Sequence, residues 1–221
     1  MYEKGKGITQ NYRQAIQWYK SSAENGNWSA MLRLANIYME GNGVTVDNAQ
    51  GISWYRKAAD KGSTIAIFNV GLFYDNGIGV PQNTLLALEW YNKAAQKGDD
   101  EAKNNIALIY ENGKGGVPQD YAKAIEWYKK AVEDNDESAA MFNLGAMYAQ
   151  GHGTTIDNAS AFKWFKRSAE LGNVGAMFAL GRWYEIGVYV EKNLEAAKKY
   201  YHEAALKGDN NSMARLQILG N

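Results

Sequence analysis

The sequence predicts an all-α fold, an array of helix-turn-helix repeats, and three observations predict it. The first is a period. Trp18, Trp54, Trp90, Trp127, Trp164 and Tyr200, each followed by a second aromatic residue, stand 36, 36, 37, 37 and 36 residues apart. Spacing of that size marks units that cannot bury an apolar face alone and stack on their neighbours. The second is an Asp or Asn seven residues before every marker: Asn11, Asp47, Asn83, Asp120, Asp157 and Asn193. The third is apolar spacing of three and four residues, interrupted by Gly-x-Gly turns, with no strand-like alternation anywhere.

Each repeat reads as two helices. The first is typified by SAAMFNLGAMYAQ, Ser138–Gln150, with Met141, Leu144, Ala146 and Tyr148 on one stripe. Gly151-His152-Gly153 stops it, since glycine disfavours the helix interior by about 1 kcal/mol and readily takes positive φ. Pro81 and Pro118 follow such turns and stiffen the approach to the next helix. The second is typified by DYAKAIEWYKKAV, Asp120–Val132. Its leading Asp or Asn accepts from backbone N–H groups that have no partner inside the helix. A small residue three before the marker (Ala15, Gly51, Ala87, Ala124, Ala161, Ala197) lets two helices approach closely. Gly26, Gly62, Gly98, Gly172 and Gly208 terminate the helix. Glu133-Asp134-Asn135-Asp136 departs from this pattern, and Asn135 is expected to take the left-handed conformation there. Gly115-Gly116 lengthens another turn by one residue.

About six repeats and about twelve helices follow, as one array. The units run roughly 1–26 (partial), 27–62, 63–98, 99–135, 136–172, 173–208 and 209–221 (partial). Tyr2 aligns with Tyr38 and Tyr74, and Gly5 and Gly7 with Gly41 and Gly43, so the chain is expected to open at the tail of a helix. It stops after one more first helix. This predicts a fragment of a longer array, with exposed ends open to weak end-to-end self-association or else a monomer.

Composition narrows function. Lys+Arg and Asp+Glu are 24 each, which argues against broad attraction to nucleic acid or anionic membrane. The chain has no cysteine, which excludes disulfides, thiolate metal sites and a cysteine nucleophile. No signal peptide is read at its opening, where a truncated N-terminus is expected and a leader could lie upstream, and no apolar run comes near the roughly 18 residues of a membrane span. Direct membrane insertion is not expected. Cytoplasmic and periplasmic or secreted locations both fit.

The recurring Leu-Gly…Tyr, Gly-x-Gly and Trp-Tyr-x-Lys-Ala-Ala elements resemble the Sel-1-like repeat family, a relative of the tetratricopeptide repeat, over essentially the whole chain. The resemblance implies a right-handed α/α superhelical solenoid, with first helices lining a concave groove and second helices the convex face. It implies a bacterial protein with a role in signalling, envelope assembly, host interaction or toxin–immunity pairing. Some members carry a disulfide in each unit; here packing and caps must suffice.

No catalytic constellation stands out. His152 sits in a turn, His202 on a helix where Lys20 and Arg56 stand, and three or four convergent metal ligands are missing. No cofactor is expected. The Gly-x-Gly turns lack the strand and the Gly-Lys-Ser/Thr of a phosphate loop. Strict repetition of the aromatic markers on one helical face predicts that they are core. The variable positions of the first helices carry the functional reading. Arg33, Asn69, Asn105 and Asn143 precede a constant apolar residue, and an Asn amide offers both donors and an acceptor to an extended peptide backbone. Groove asparagines of that kind are what the resemblance implies. One position earlier, Phe68, Asn104, Phe142 and Phe178 are either groove anchors or packing residues. Asn36, Leu72 and Arg182 share a position further along, and Asp75 and Glu111 suggest a mildly acidic patch. The expectation is a non-catalytic scaffold or adaptor that binds a protein or peptide. The alternatives are a hydrolase acting on β-lactam or cell-wall compounds, an activity attributed to relatives, and a structural spacer between domains.

Overall fold

The computed structural model describes Glu3, residues 10–133 and residues 137–220. Among the described residues the regular elements are α1 (Tyr12–Glu24), α2 (Trp28–Glu40), α3 (Asn48–Asp60), α4 (Thr64–Asn76), α5 (Thr84–Ala95) and α6 (Asp100–Asn112). A short 3-10 turn, Lys114–Gly116, precedes α7 (Tyr121–Glu133), α8 (Ser138–Gln150), α9 (Asn158–Glu170), α10 (Val174–Ile186), α11 (Leu194–Leu206) and α12 (Asn210–Leu219). Odd-numbered helices are the second helices of the repeat and even-numbered ones the first. The expectations placed on Tyr2, Gly5, Gly7 and the Asn135 turn lie outside the described residues.

The chain forms two compact units: Met1–Ala102 with Lys114–Val117, and Lys103–Gly113 with Pro118–Asn221. Within each unit a helix packs chiefly on the one before and the one after it.

Local chemistry sets the helix ends. Asn11, Asp47, Asn83, Asp157 and Asn193 each accept from the N–H three residues on, at 2.9–3.1 Å. Asp120 does the same for Lys123 at 3.0 Å. The first helices are capped too, by Asn27, Ser63, Asp99, Glu137, Asn173 and Asp209. Their exits use glycine in the left-handed region, Gly41, Gly77, Gly151 and Gly187. The second glycine of the turn is there for room as well. A Cβ on Gly43 would lie 2.3 Å from the Tyr12 Cβ. The last turn puts Tyr189 at φ 62 where its counterparts have such a glycine, and its ring lies over Phe162, centroids 5.7 Å apart.

Packing corrects one expectation. The marker residue is not the core member of the aromatic pair. Trp18 is 66% exposed and Trp54, Trp90, Trp127 and Trp164 are half-buried, while the following Tyr55, Tyr91, Tyr128, Phe165 and Tyr201 are buried. Adjacent helical positions point about 100° apart, so only one of the two can face the partner helix squarely. The tryptophans instead carry lysines on their faces, with Lys57 Nζ 4.0 Å, Lys93 Nζ 4.5 Å and Lys130 Nζ 4.4 Å from the ring centres of Trp54, Trp90 and Trp127. The small residues behave as expected. Ala87, Ala124, Ala161 and Ala197 are fully buried, and a Cβ on Gly51 would lie 2.4 Å from Met39 Cγ.

Candidate functional site

The first helices present the variable positions, and in unit 1 these fall on α2 and α4. Arg33 is exposed, with its guanidinium 3.8 Å from the Glu3 carboxylate. Asn36 accepts the hydroxyl of Tyr55, reached across from α3. Phe68 is only 7% exposed and packs on Tyr91, ring centres 5.7 Å apart, so it belongs to the core here. Asn69 is half-buried and donates Nδ2 to the Ile65 carbonyl one turn back at 2.7 Å. Leu72 is half-buried. Asp75 pairs with Lys114 Nζ at 2.8 Å.

In unit 2 the positions fall on α6, α8 and α10. Asn104 is 5% exposed and accepts from Asn143 Nδ2 at 3.1 Å, so two first helices are joined by an amide pair. Asn105 and Asn143 keep part of their surface open. Phe142 and Phe178 are half-buried on Phe165 and Tyr201, at 5.6 and 5.8 Å. Glu111 accepts the Tyr128 hydroxyl. Arg182 Nη1 lies 3.5 Å from Glu185. His152 stacks on Tyr121 at 4.6 Å, and no group of metal-ligating residues was found among the described residues.

Two regularities were missed from the sequence, though the sequence carries a signal for each. The buried tyrosine of the second helix sends its hydroxyl to an acceptor on the first helix: Tyr55 to Asn36, Tyr128 to Glu111 and Tyr201 to Glu185. The half-buried Tyr19 likewise donates to the Glu3 carboxylate. Burial, reinforced by Glu3, pushes the Tyr19 phenol up to about 12, and burial with Glu111 pushes Tyr128 up. Where Phe165 replaces the tyrosine, Ala149 stands in place of the acid. The second regularity links Phe to Gly. Phe68, Phe142 and Phe178 accompany Gly71, Gly145 and Gly181 three residues on. A Cβ at those glycines would lie 2.6–2.8 Å from the rings of Tyr91, Phe165 and Tyr201. The ring sits where a methyl group would be, clamped by the Phe.

Comparison with known proteins gives a consistent picture. The Sel1 repeat model matches six times, over residues 1–27, 28–63, 64–99, 100–136, 138–173 and 174–209. Among solved structures, the chain is similar to a protective antigen present in uropathogenic Escherichia coli strains, which displays an SLR fold, at 35% identity and TM-score 0.84. That match covers 97% of this chain and 46% of the antigen, so the chain spans about half its length. A Sel1 repeat protein from Oxalobacter formigenes is 33% identical, TM-score 0.85, covering 97% of this chain and 85% of that one. An immunity protein from Pseudomonas aeruginosa, 20% identical with TM-score 0.57 over 86% of this chain and 72% of that one, shares the fold. A search of curated proteins found no match.

Proposed function

Since the chain belongs to the Sel1 repeat family, whose members are generally non-catalytic protein-interaction scaffolds, we propose that it is an adaptor that binds an extended segment of a polypeptide at exposed positions of its first helices. One observation carries this reading. The constant positions of the first helices are buried, whereas several of the positions that vary from repeat to repeat, though not Phe68 or Asn104, keep polar groups at the surface: Arg33, Asn69, Asn105, Asn143 and Arg182. A scaffold fixes its fold with the former and can recognise a ligand with the latter. Amides serve a peptide backbone whatever its sequence, because each offers donors and an acceptor. The helices are already formed, so little ordering opposes binding. Leu72, Phe142 and Phe178 supply apolar surface beside the amides.

The test is affinity capture from the source organism's lysate, read by mass spectrometry, with native chain beside an Asn105→Ala/Asn143→Ala variant and an Asn69→Ala variant. All baits are first checked for native helix content by circular dichroism. A partner held by the native chain and lost from a variant supports the reading and locates the contact. A partner held equally by all three moves the contact to the second helices or the turns.

A further inference from the structure

Near the end of unit 2 two guanidinium groups converge on one carboxylate. Glu185, on α10, is only 11% exposed along its side chain. It accepts the Tyr201 hydroxyl at 2.6 Å and receives Arg215, on α12, through Nε at 3.2 Å and through Nη2. Arg182, one turn earlier on α10, brings Nη1 to 3.5 Å. The two arginine side chains stay 38% and 27% exposed. Both lie at variable first-helix positions. Arg182 stands where earlier repeats have Asn36, Leu72, Leu108 and Ala146, and Arg215 where they have Arg33, Asn69, Asn105, Asn143 and Ala179.

The cluster holds two positive charges against one negative. Each guanidinium has five N–H donors in a planar fork, and Glu185 with Tyr201 occupies only some of them. Glu185 also holds both guanidiniums in place, itself fixed by Tyr201, so a second carboxylate would meet them preorganised. Building on the first-helix reading above, we propose that Arg182 and Arg215 dock a carboxylate of the bound polypeptide, from an Asp or Glu side chain or a free C-terminus. The site selects one acidic group in the ligand, and neighbouring amides hold the backbone.

The experiment selects random dodecapeptides on the full chain from two libraries, one displayed internally and one with free C-termini. Chosen peptides are then measured by fluorescence anisotropy, with amidated and free ends. The expected result is an acidic residue, or the free end, at one fixed position. Binding falls about tenfold for Arg182→Gln, as it does when the peptide carboxylate is replaced by an amide, and the two changes together cost no more than either alone. Arg182→Glu turns the selection toward Lys or Arg. Arg215→Gln leaves Glu185 partnered by Arg182 and Tyr201 and gives an independent second variant. Peptides with no fixed acidic position that bind Arg182→Gln as tightly as the native chain overturn the inference. If those same peptides are lost on Asn105→Ala/Asn143→Ala, the first-helix reading survives it; if no peptide binds at all, both fall.

Discussion

The tyrosine of the second helix is the residue on which each repeat turns. In unit 2 the Tyr128 ring is fully buried and its hydroxyl donates to Glu111. That single contact satisfies both a buried phenol and a largely covered carboxylate. Tyr128→Phe keeps the ring and strands the acid, so it should cost about 1–3 kcal/mol in urea unfolding. Tyr128→Phe with Glu111→Ala should recover part of that, because Phe165 and Ala149 occupy the corresponding positions one repeat later. The same bond gives a pH dependence. Burial raises the folded phenols of Tyr19, Tyr55, Tyr128 and Tyr201 above the unfolded value of 10.0. The unfolded chain therefore loses these protons first. The stabilisation they give is complete below pH 10 and fades above it, for Tyr19 up to about 12. Urea midpoints between pH 8 and 12 should hold level and then fall, less steeply for Tyr128→Phe. A midpoint independent of pH to 12 would remove these phenols from the stability of the fold.

At the scale of the helix, much was legible because the signals are local. Asp or Asn at the start and glycine at the end act through the chain's own neighbouring N–H groups and φ angles, so the second-helix caps appear where they were expected. What the sequence reading lost were contacts across helices. Periodicity finds the aromatic pair but not which member faces the partner helix; Trp54 and Tyr55 are adjacent in sequence and differ in burial. Phe68 and Asn104 stand at a variable position that fits a groove anchor or a packing residue, and both are buried by neighbours distant in sequence. The paired substitutions, Tyr with acid and Phe with glycine, were the available clue. The caps themselves divide by chemistry. Hydrogen bonds from Lys123 and from Ser160 hold the Asp120 and Asp157 carboxyls below the usual carboxylate range. Their stabilisation is therefore present above the unfolded value of 3.8 and is lost as pH falls through the lower folded values. Acid should fray the first turns of α7 and α9 before those of α5 and α11, whose caps Asn83 and Asn193 do not titrate. Amide exchange at Leu86, Lys123, Ser160 and Ala196 reads this directly. Asn83→Ala should cost about 1 kcal/mol at any pH.

Over the whole molecule, stability is expected to add up repeat by repeat. A helix here packs chiefly on its neighbours in sequence, as α10 does on α9 and α11, so a defect reaches only as far as the interfaces it touches. Gly181→Ala is a sharp probe. The new methyl would lie 2.6 Å from Tyr201 Cε1, and that ring is fully buried between Phe178 and the helix itself. Overpacking of this kind costs about 1–3 kcal/mol. In a single cooperative globule the loss would appear at every slowly exchanging amide. In a nearest-neighbour array it should appear in α9 to α12 and leave the core amides of α2 to α4, around Leu34 and Val70, protected as before. Hydrogen exchange followed by mass spectrometry separates these outcomes. The distinction bears on binding. If stability is local, the amides of α6 and α8 and the arginines of α10 and α12 can be altered one repeat at a time without loosening the remainder. A change in affinity can then be assigned to the side chain that was removed. Uniform loss of protection across α2 to α12 would mean that the array folds as one body, and that affinity losses must first be corrected for stability.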